Sequence, residues 1–265
     1  MDTDDVWRVI DAERVSLAGL LDGLTAEQWQ APSLCTGWRV CEVTAHLTLA
    51  HMGVAGAAVA FARARCDFDR LIYDTARRRA KRLPAGRLTG QLRAMVGSRR
   101  KAPGISHLEP LIDILVHGQD IAIPLGLERS MPTEAAMTAA SRVWPDLYPF
   151  RAARRLRGLR FAATDCDWSA GEAGEIGVVT GPIEAILLAF TGRPAAIARL
   201  SGPGVAELEG RLRPAGPPFA TPVPLPAERG DEVLQRLHSE GTDHKHRADS
   251  QVDHPVLQED SRELS

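Results

Sequence analysis

Between Thr3 and Leu24 the apolar side chains fall at Val6, Ile10, Leu17, Leu20, Leu21 and Leu24, a spacing that predicts an amphipathic helix. Asp2 and Asp4 stand at its start, where negative charge meets the positive end of the helix dipole. Gly23 and the segment TAEQWQAPSLCTGW break the period. A second helix is predicted from about Trp38, with Val40, Val43, Leu47, Ala50 and Val54 on one stripe and an alanine-rich stretch reaching about Arg65. Shorter helices are predicted over 68–82 and 87–100, separated by Pro84 and Gly86. Another spans 106–123, stopped by Pro124 and Gly126, and the last runs from Pro132 to Trp144. Short connections and the lack of any strand pattern predict a helical bundle over residues 1–149.

After Pro149 the pattern changes. An arginine-rich linker leads to LRFAATD and DWSAGEAGEIGVVTG, where apolar and polar residues mix with glycine turns and predict two or three short strands. A helix over 182–190, a turn through Gly192 and Arg193, and a helix near 204–212 complete a small α/β domain over 156–213. The expected fold class is α+β. Residues 214–265 are rich in proline and charge without periodicity, which predicts a largely disordered tail. Its histidines (His238, His244, His246, His254) show no ligand spacing.

A chain of 265 residues is long enough to bury a real core. A net charge of -2 gives no electrostatic reason for a nucleic-acid partner. The short basic runs at Arg77–Arg82, Arg99–Lys101 and Arg151–Arg160 are read as solvated faces or linker. There is no long apolar run and the N-terminus MDTDDVW is acidic, so no membrane partner and a cytoplasmic location are expected. The four cysteines form no CxxC pair and are read as small buried hydrophobes, with Cys35 non-catalytic or, alternatively, a thiol close to a metal.

The segment 106–123 carries the chemistry. On a helical wheel Glu109, Asp113, His117 and Asp120 share one narrow sector, and Leu111, Ile112, Ile114, Leu115, Val116 and Ile121 take the rest. A helix apolar nearly all round is buried, so its polar stripe faces the interior. Buried carboxylates and imidazoles must be paired, hydrogen-bonded or coordinated to a metal. Asp113 and His117, four apart, lie one turn from each other and can grip one ion. A carboxylate–histidine hydrogen bond that only fixes packing fits the same spacing. A third ligand has to come from another helix, where His46 and His51 flank the apolar stripe, and periodicity does not choose between them.

PSLCTGWRVCEVTAHL (32–47) resembles the cysteine-tryptophan motif and Ala-His-Leu ending of the mycothiol-dependent maleylpyruvate isomerase family, a branch of the DinB-like helical-bundle superfamily. DILVHGQDIAIPLG (113–126) is similar to that family's second metal motif. LRFAATDCDWSAGE and GPIEAILLAFTGRPAAI resemble its small C-terminal domain. The resemblance implies a divalent metal, usually zinc, held by His46, Asp113 and His117, with Asp113 standing where the family's isomerases have Glu. It also implies mycothiol as cofactor and an arginine of the C-terminal domain near the substrate, matched here by Arg193. Asp120 is a candidate to orient a ligand histidine. Trp38 is read as a packing residue that fixes the loop.

Three protein ligands and an open coordination position suit catalysis, since structural zinc usually has four. The expected function is a metal- and mycothiol-dependent isomerase or S-transferase acting on a small electrophile through an activated thiolate. The alternative is a non-catalytic small-molecule binding protein on the same scaffold.

Overall fold

The computed structural model describes residues 1–51, 68–101, 105–145, 147, 149–172 and 177–212, with only the backbone at residues 51, 68 and 69. Helix α1 (Thr3–Asp22) starts where the Asp2 carboxylate accepts from the Asp5 N–H at 2.8 Å, capping an otherwise unpaired donor. Its Val6, Ile10, Leu17 and Leu21 are buried. The segment expected only to break the pattern contains a short helix, α2 (Ala26–Gln30), closed by a reciprocal cap between Thr25 and Gln28. Helix α3 (Val40–Leu47) is followed by a 3-10 turn over Leu49–His51. The expected continuation to Arg65 lies outside the described residues, as do the side chain of His51 and the expected tail over 214–265.

Helices α4 (Phe68–Arg82), α5 (Ala85–Ala94), α6 (Leu108–Ala122) and α7 (Thr133–Val143) follow. α1 packs against α5 and α6, and α3 packs against α4, α5 and α6, so α6 sits in the middle of the bundle. That placement is why its non-polar residues surround it. α5 starts earlier and ends sooner than its sequence pattern implies, because Pro84 stands at its N-terminal boundary and the chain turns after Met95.

The arginine-rich linker holds a further short helix, α8 (Ala152–Arg155), and three strands follow: β1 (Leu159–Ala163), β2 (Ser169–Ala170) and β3 (Gly177–Gly181). β1 is central, antiparallel to β2 and parallel to β3, with Phe161 opposite Ala170 and Val179. α9 (Ile183–Phe190) is buried along its whole length and packs on α7, a 3-10 segment runs Pro194–Arg199, and α10 (Val205–Leu212) ends the described chain. Trp144, Phe161, Phe190 and Trp168 form an aromatic cluster between α7 and the sheet. The described residues belong to one compact unit. No helix among the described residues is long and apolar enough to cross a membrane.

Not all of the basic runs are solvated. Arg79 donates to Thr48 Oγ1 and Gln91 Oε1, both at 2.8 Å, and Arg155 donates to the Ala189 and Phe190 carbonyls at the end of α9. Long side chains can bury their stems and spend the guanidinium on backbone carbonyls, which a sequence run does not reveal.

Gly118 in α6 is there because Arg129 crosses over it. A Cβ at this position would lie 2.6 Å from Arg129 Nε, and that guanidinium is fixed by Glu13 and by Ser16 Oγ at 2.9 Å. Ala normally stabilises a helix interior by about 1 kcal/mol over Gly, but overpacking a fixed neighbour costs about 1–3 kcal/mol. Gly118→Ala should therefore lower the melting temperature. Gly90→Ala in α5, where nothing lies within 4 Å of the new carbon, should raise it. Thermal denaturation of the pair tests the argument, and equal shifts of the same sign would refute it.

Candidate metal centre

Two segments build the site. The first is the loop before α3. Ser33 N–H donates to the Trp38 carbonyl at 3.0 Å, Trp38 N–H donates to the Cys35 carbonyl at 2.9 Å, and Gly37 takes φ +79° to close the turn. A Cβ on Gly37 would press on the Tyr73 hydroxyl at 3.0 Å. At its far end, buried Glu42 accepts from the Arg39 N–H at 2.7 Å and pairs with the Arg39 guanidinium, which starts α3 and so fixes His46 one to two turns on. The loop is tied to α6 directly, because Leu34 N–H donates to the Asp120 carbonyl at 3.0 Å.

The second segment is α6. Glu109 accepts from Ser106 N–H and Oγ at 2.6 Å and from Arg142 at 2.7 Å, anchoring the start of the polar stripe. Asp113 and His117 follow, and their ligand atoms lie within 4.8 Å of each other and of one of His46. The His46 and His117 rings meet edge to face with centroids 4.8 Å apart. The structure thus brings together the three residues singled out in the sequence, and His46 reaches the polar stripe from α3.

Asp120 is fully buried and organises what surrounds these residues. It accepts from His117 Nδ1 at 2.8 Å, from the Cys35 thiol at 3.0 Å, and from Arg193 through Nε at 3.0 Å and Nη2 at 2.7 Å. A carboxylate beside a cation only accepts, so His117 carries its hydrogen on Nδ1 and its Nε2 is the nitrogen left for the His46–Asp113 group. Arg193 comes from the end of α9 and also reaches Cys35 Sγ at 3.7 Å. Cys35, for which the sequence favours a non-catalytic role over a thiol close to a metal, lies in the site, 3.6 Å from His117 Nδ1. Its only sequence signal is membership of the loop motif that contains Trp38.

The electrostatics follow from this packing. Burial pushes His46 down to about 3, helped by the neighbouring charges of His117 and Arg193 and only opposed by Asp120, so its ring is neutral with lone pairs free. Burial works against a charged His117 as well, but Cys35 and Asp120 outweigh it and raise it to about 10, so an ion bound at Nε2 has to displace the proton held there. Burial also opposes ionisation of Asp120, yet the adjoining Arg193 and His117 hold it well below the usual carboxylate range. Asp113 is raised by burial and by Glu109, against the lowering effect of His117 and Arg193.

Among the described residues two sets of donors have metal-ligand proximity: His46, Asp113 and His117, and a second set of Cys35, His117 and Asp120. The second set already has a cation. The Arg193 guanidinium lies on both oxygens of Asp120, and a metal ion there would face that fixed positive charge. Among the described residues no arginine or lysine bonds the first set in that way, and the buried His46 Nδ1 has no hydrogen-bond partner. Two imidazoles and a carboxylate are a donor set suited to zinc. The residues present fit the metal that the family resemblance implies.

Residues 10–106 match the model of the mycothiol maleylpyruvate isomerase N-terminal domain. Among solved structures, a crystal structure of the mycothiol-dependent maleylpyruvate isomerase is similar, with a TM-score of 0.53 and 12% identity over 76% of this chain and 93% of that one. A histidine-to-alanine mutant of such an enzyme aligns over the same shares at 12% identity, with a TM-score of 0.51. No curated protein matches this sequence. Over residues 10–106 the chain is thus similar to the mycothiol maleylpyruvate isomerase N-terminal domain, and it carries the fold of the solved mycothiol-dependent maleylpyruvate isomerase.

Proposed function

We propose that this protein is a metal- and mycothiol-dependent isomerase or S-transferase of a small electrophilic substrate. The observation that supports it most is the meeting of His46, Asp113 and His117 within 4.8 Å, with Arg193 brought to the same place through Asp120. In this reading His46, Asp113 and His117 hold a divalent ion, zinc being the best match. When bound, such an ion lowers the pKa of a coordinated thiol and supplies it as a thiolate at neutral pH.

The chain's own groups do the rest. Asp120 keeps the proton of His117 on Nδ1 and fixes the ring plane, so that Nε2 is presented in one direction. Arg193 spends its Nε and Nη2 edge on Asp120 and bonds the Thr191 carbonyl through Nη1, which leaves the second Nη1 N–H to meet a substrate anion. Asp113 has a shorter reach than Glu by one methylene, about 1.5 Å. Close ligation therefore requires α6 to lie nearer the ion than a Glu would need. The same reading takes 1–149 as the metal-binding part and 156–213 as the part that contributes Arg193.

Protein purified without an affinity tag is expected to carry one zinc per chain and to isomerise maleylpyruvate only with mycothiol present. Removing the metal with a chelator should abolish that activity, and zinc should restore it. A metal-free protein with a bound apolar molecule would instead favour the binding-protein alternative.

A further inference from the structure

Trp38 does more than pack the loop. It is only 9% exposed, stacks on Tyr73 with centroids 6.0 Å apart, and leans on His46 at 5.3 Å. Its backbone N–H and carbonyl are both used inside the turn. Its indole Nε1 is buried and has no hydrogen-bond partner among the described residues. An unsatisfied buried N–H costs about 1–3 kcal/mol, and a phenyl ring could make both ring contacts without it. A stacking role alone leaves that donor unexplained, and none of the groups that arrange His117, Asp120 and Arg193 meets it.

We infer that the Trp38 indole N–H is a ligand-binding donor, left open in the free protein for an oxygen acceptor of the molecule bound beside His46. The inference rests on the functional reading above in taking that molecule to be the thiol cofactor or the substrate. A carboxylate oxygen is the strongest acceptor of this class. His46 marks the position. Its ring touches Trp38 on one side and His117 on the other, so a molecule held at the candidate metal ligands lies next to the indole.

The test compares zinc-loaded wild type with Trp38→Phe, titrating each calorimetrically with mycothiol and with maleate as a dicarboxylate probe. The variant is expected to keep its zinc and to melt no lower than wild type without probe, because it sheds an unpaired donor. Its dissociation constant for one probe should rise about threefold to tenfold, the worth of one hydrogen bond. The affected probe identifies whether the thiol or the substrate brings the oxygen. Unchanged affinity for every probe that the wild type binds means that water alone serves the N–H, and overturns the inference. If Trp38→Phe does not fold, the wild-type spectrum decides among its five indole N–H signals. A downfield shift of one of them on adding either probe supports the inference, and no shift overturns it. Wild type that binds maleate but not mycothiol would sink the thiol reading and leave Trp38 to be judged on the maleate arm. Binding of neither probe overturns both.

Discussion

Asp120→Ala is expected to lower folding stability by about 3–5 kcal/mol, the cost of leaving a buried charge without its partner. The zinc affinity should fall about tenfold to hundredfold in the same variant, as when a metal-ligating histidine loses its outer partner. Both effects have one origin. The Asp120 side chain is 0% exposed and is the acceptor for Arg193, His117 and Cys35 together. Without it the Arg193 guanidinium, itself only 13% exposed, keeps its charge in a closed space with the Thr191 carbonyl and the Cys35 sulfur as acceptors. His117 then loses the bond that orients its ring. Asp120→Asn keeps the volume and some acceptor capacity but not the charge, and should fall between wild type and Ala in both measurements. Chemical denaturation and competitive zinc titration of the three proteins test this. A wild-type denaturation midpoint and zinc affinity in Asp120→Ala would show that the pairings around Asp120 carry neither stability nor metal.

Removing a candidate ligand should act more selectively. His46→Ala and His117→Ala each leave two donors of three, and zinc affinity is expected to drop more than the hundredfold upper limit typical of an outer-partner change. Helical structure should persist, because the ion is held at one point of an extensive core and α3 and α6 keep their apolar contacts. The His117 variant keeps the Asp120–Arg193 pair intact, so its stability should stay well above that of Asp120→Ala. His51→Ala, which stands outside the proposed set, should bind zinc as wild type does. Metal content after dialysis, read beside far-ultraviolet circular dichroism, separates these outcomes. Full zinc in either ligand variant would exclude that residue.

Much of the bundle could be read from apolar spacing because α1 and α7 each bury one stripe over about three turns or more and α6 is buried nearly all round. The polar sector of α6 was legible for the same reason: Glu109, Asp113, His117 and Asp120 repeat at helical intervals against an apolar background. What spacing could not supply was long-range pairing. Nothing in the sequence pattern says that the Cys35 thiol meets Asp120, or that Arg193 turns back onto it. The short helices α2 and α8 were missed because one or two turns carry too few positions to show a period. The choice of His46 over His51 came from the motif resemblance, and its contact with His117 depends on how α3 crosses α6.

The contact between Asp120 and Arg193 also bears on timing during synthesis. The two residues are 73 positions apart, and Cys35 precedes Arg193 by 158. At a usual pace of about 5–20 residues per second, a ribosome would expose Asp120 roughly 4–15 s before the arginine that neutralises it. During that interval the nascent helices already display His46, Asp113 and His117, while the acidic side chain that will orient His117 lacks its counter-ion. The centre is therefore assembled late, by the arrival of the end of α9, and a shortened transcript or a cut that removes Arg193 would yield folded helices without a finished site.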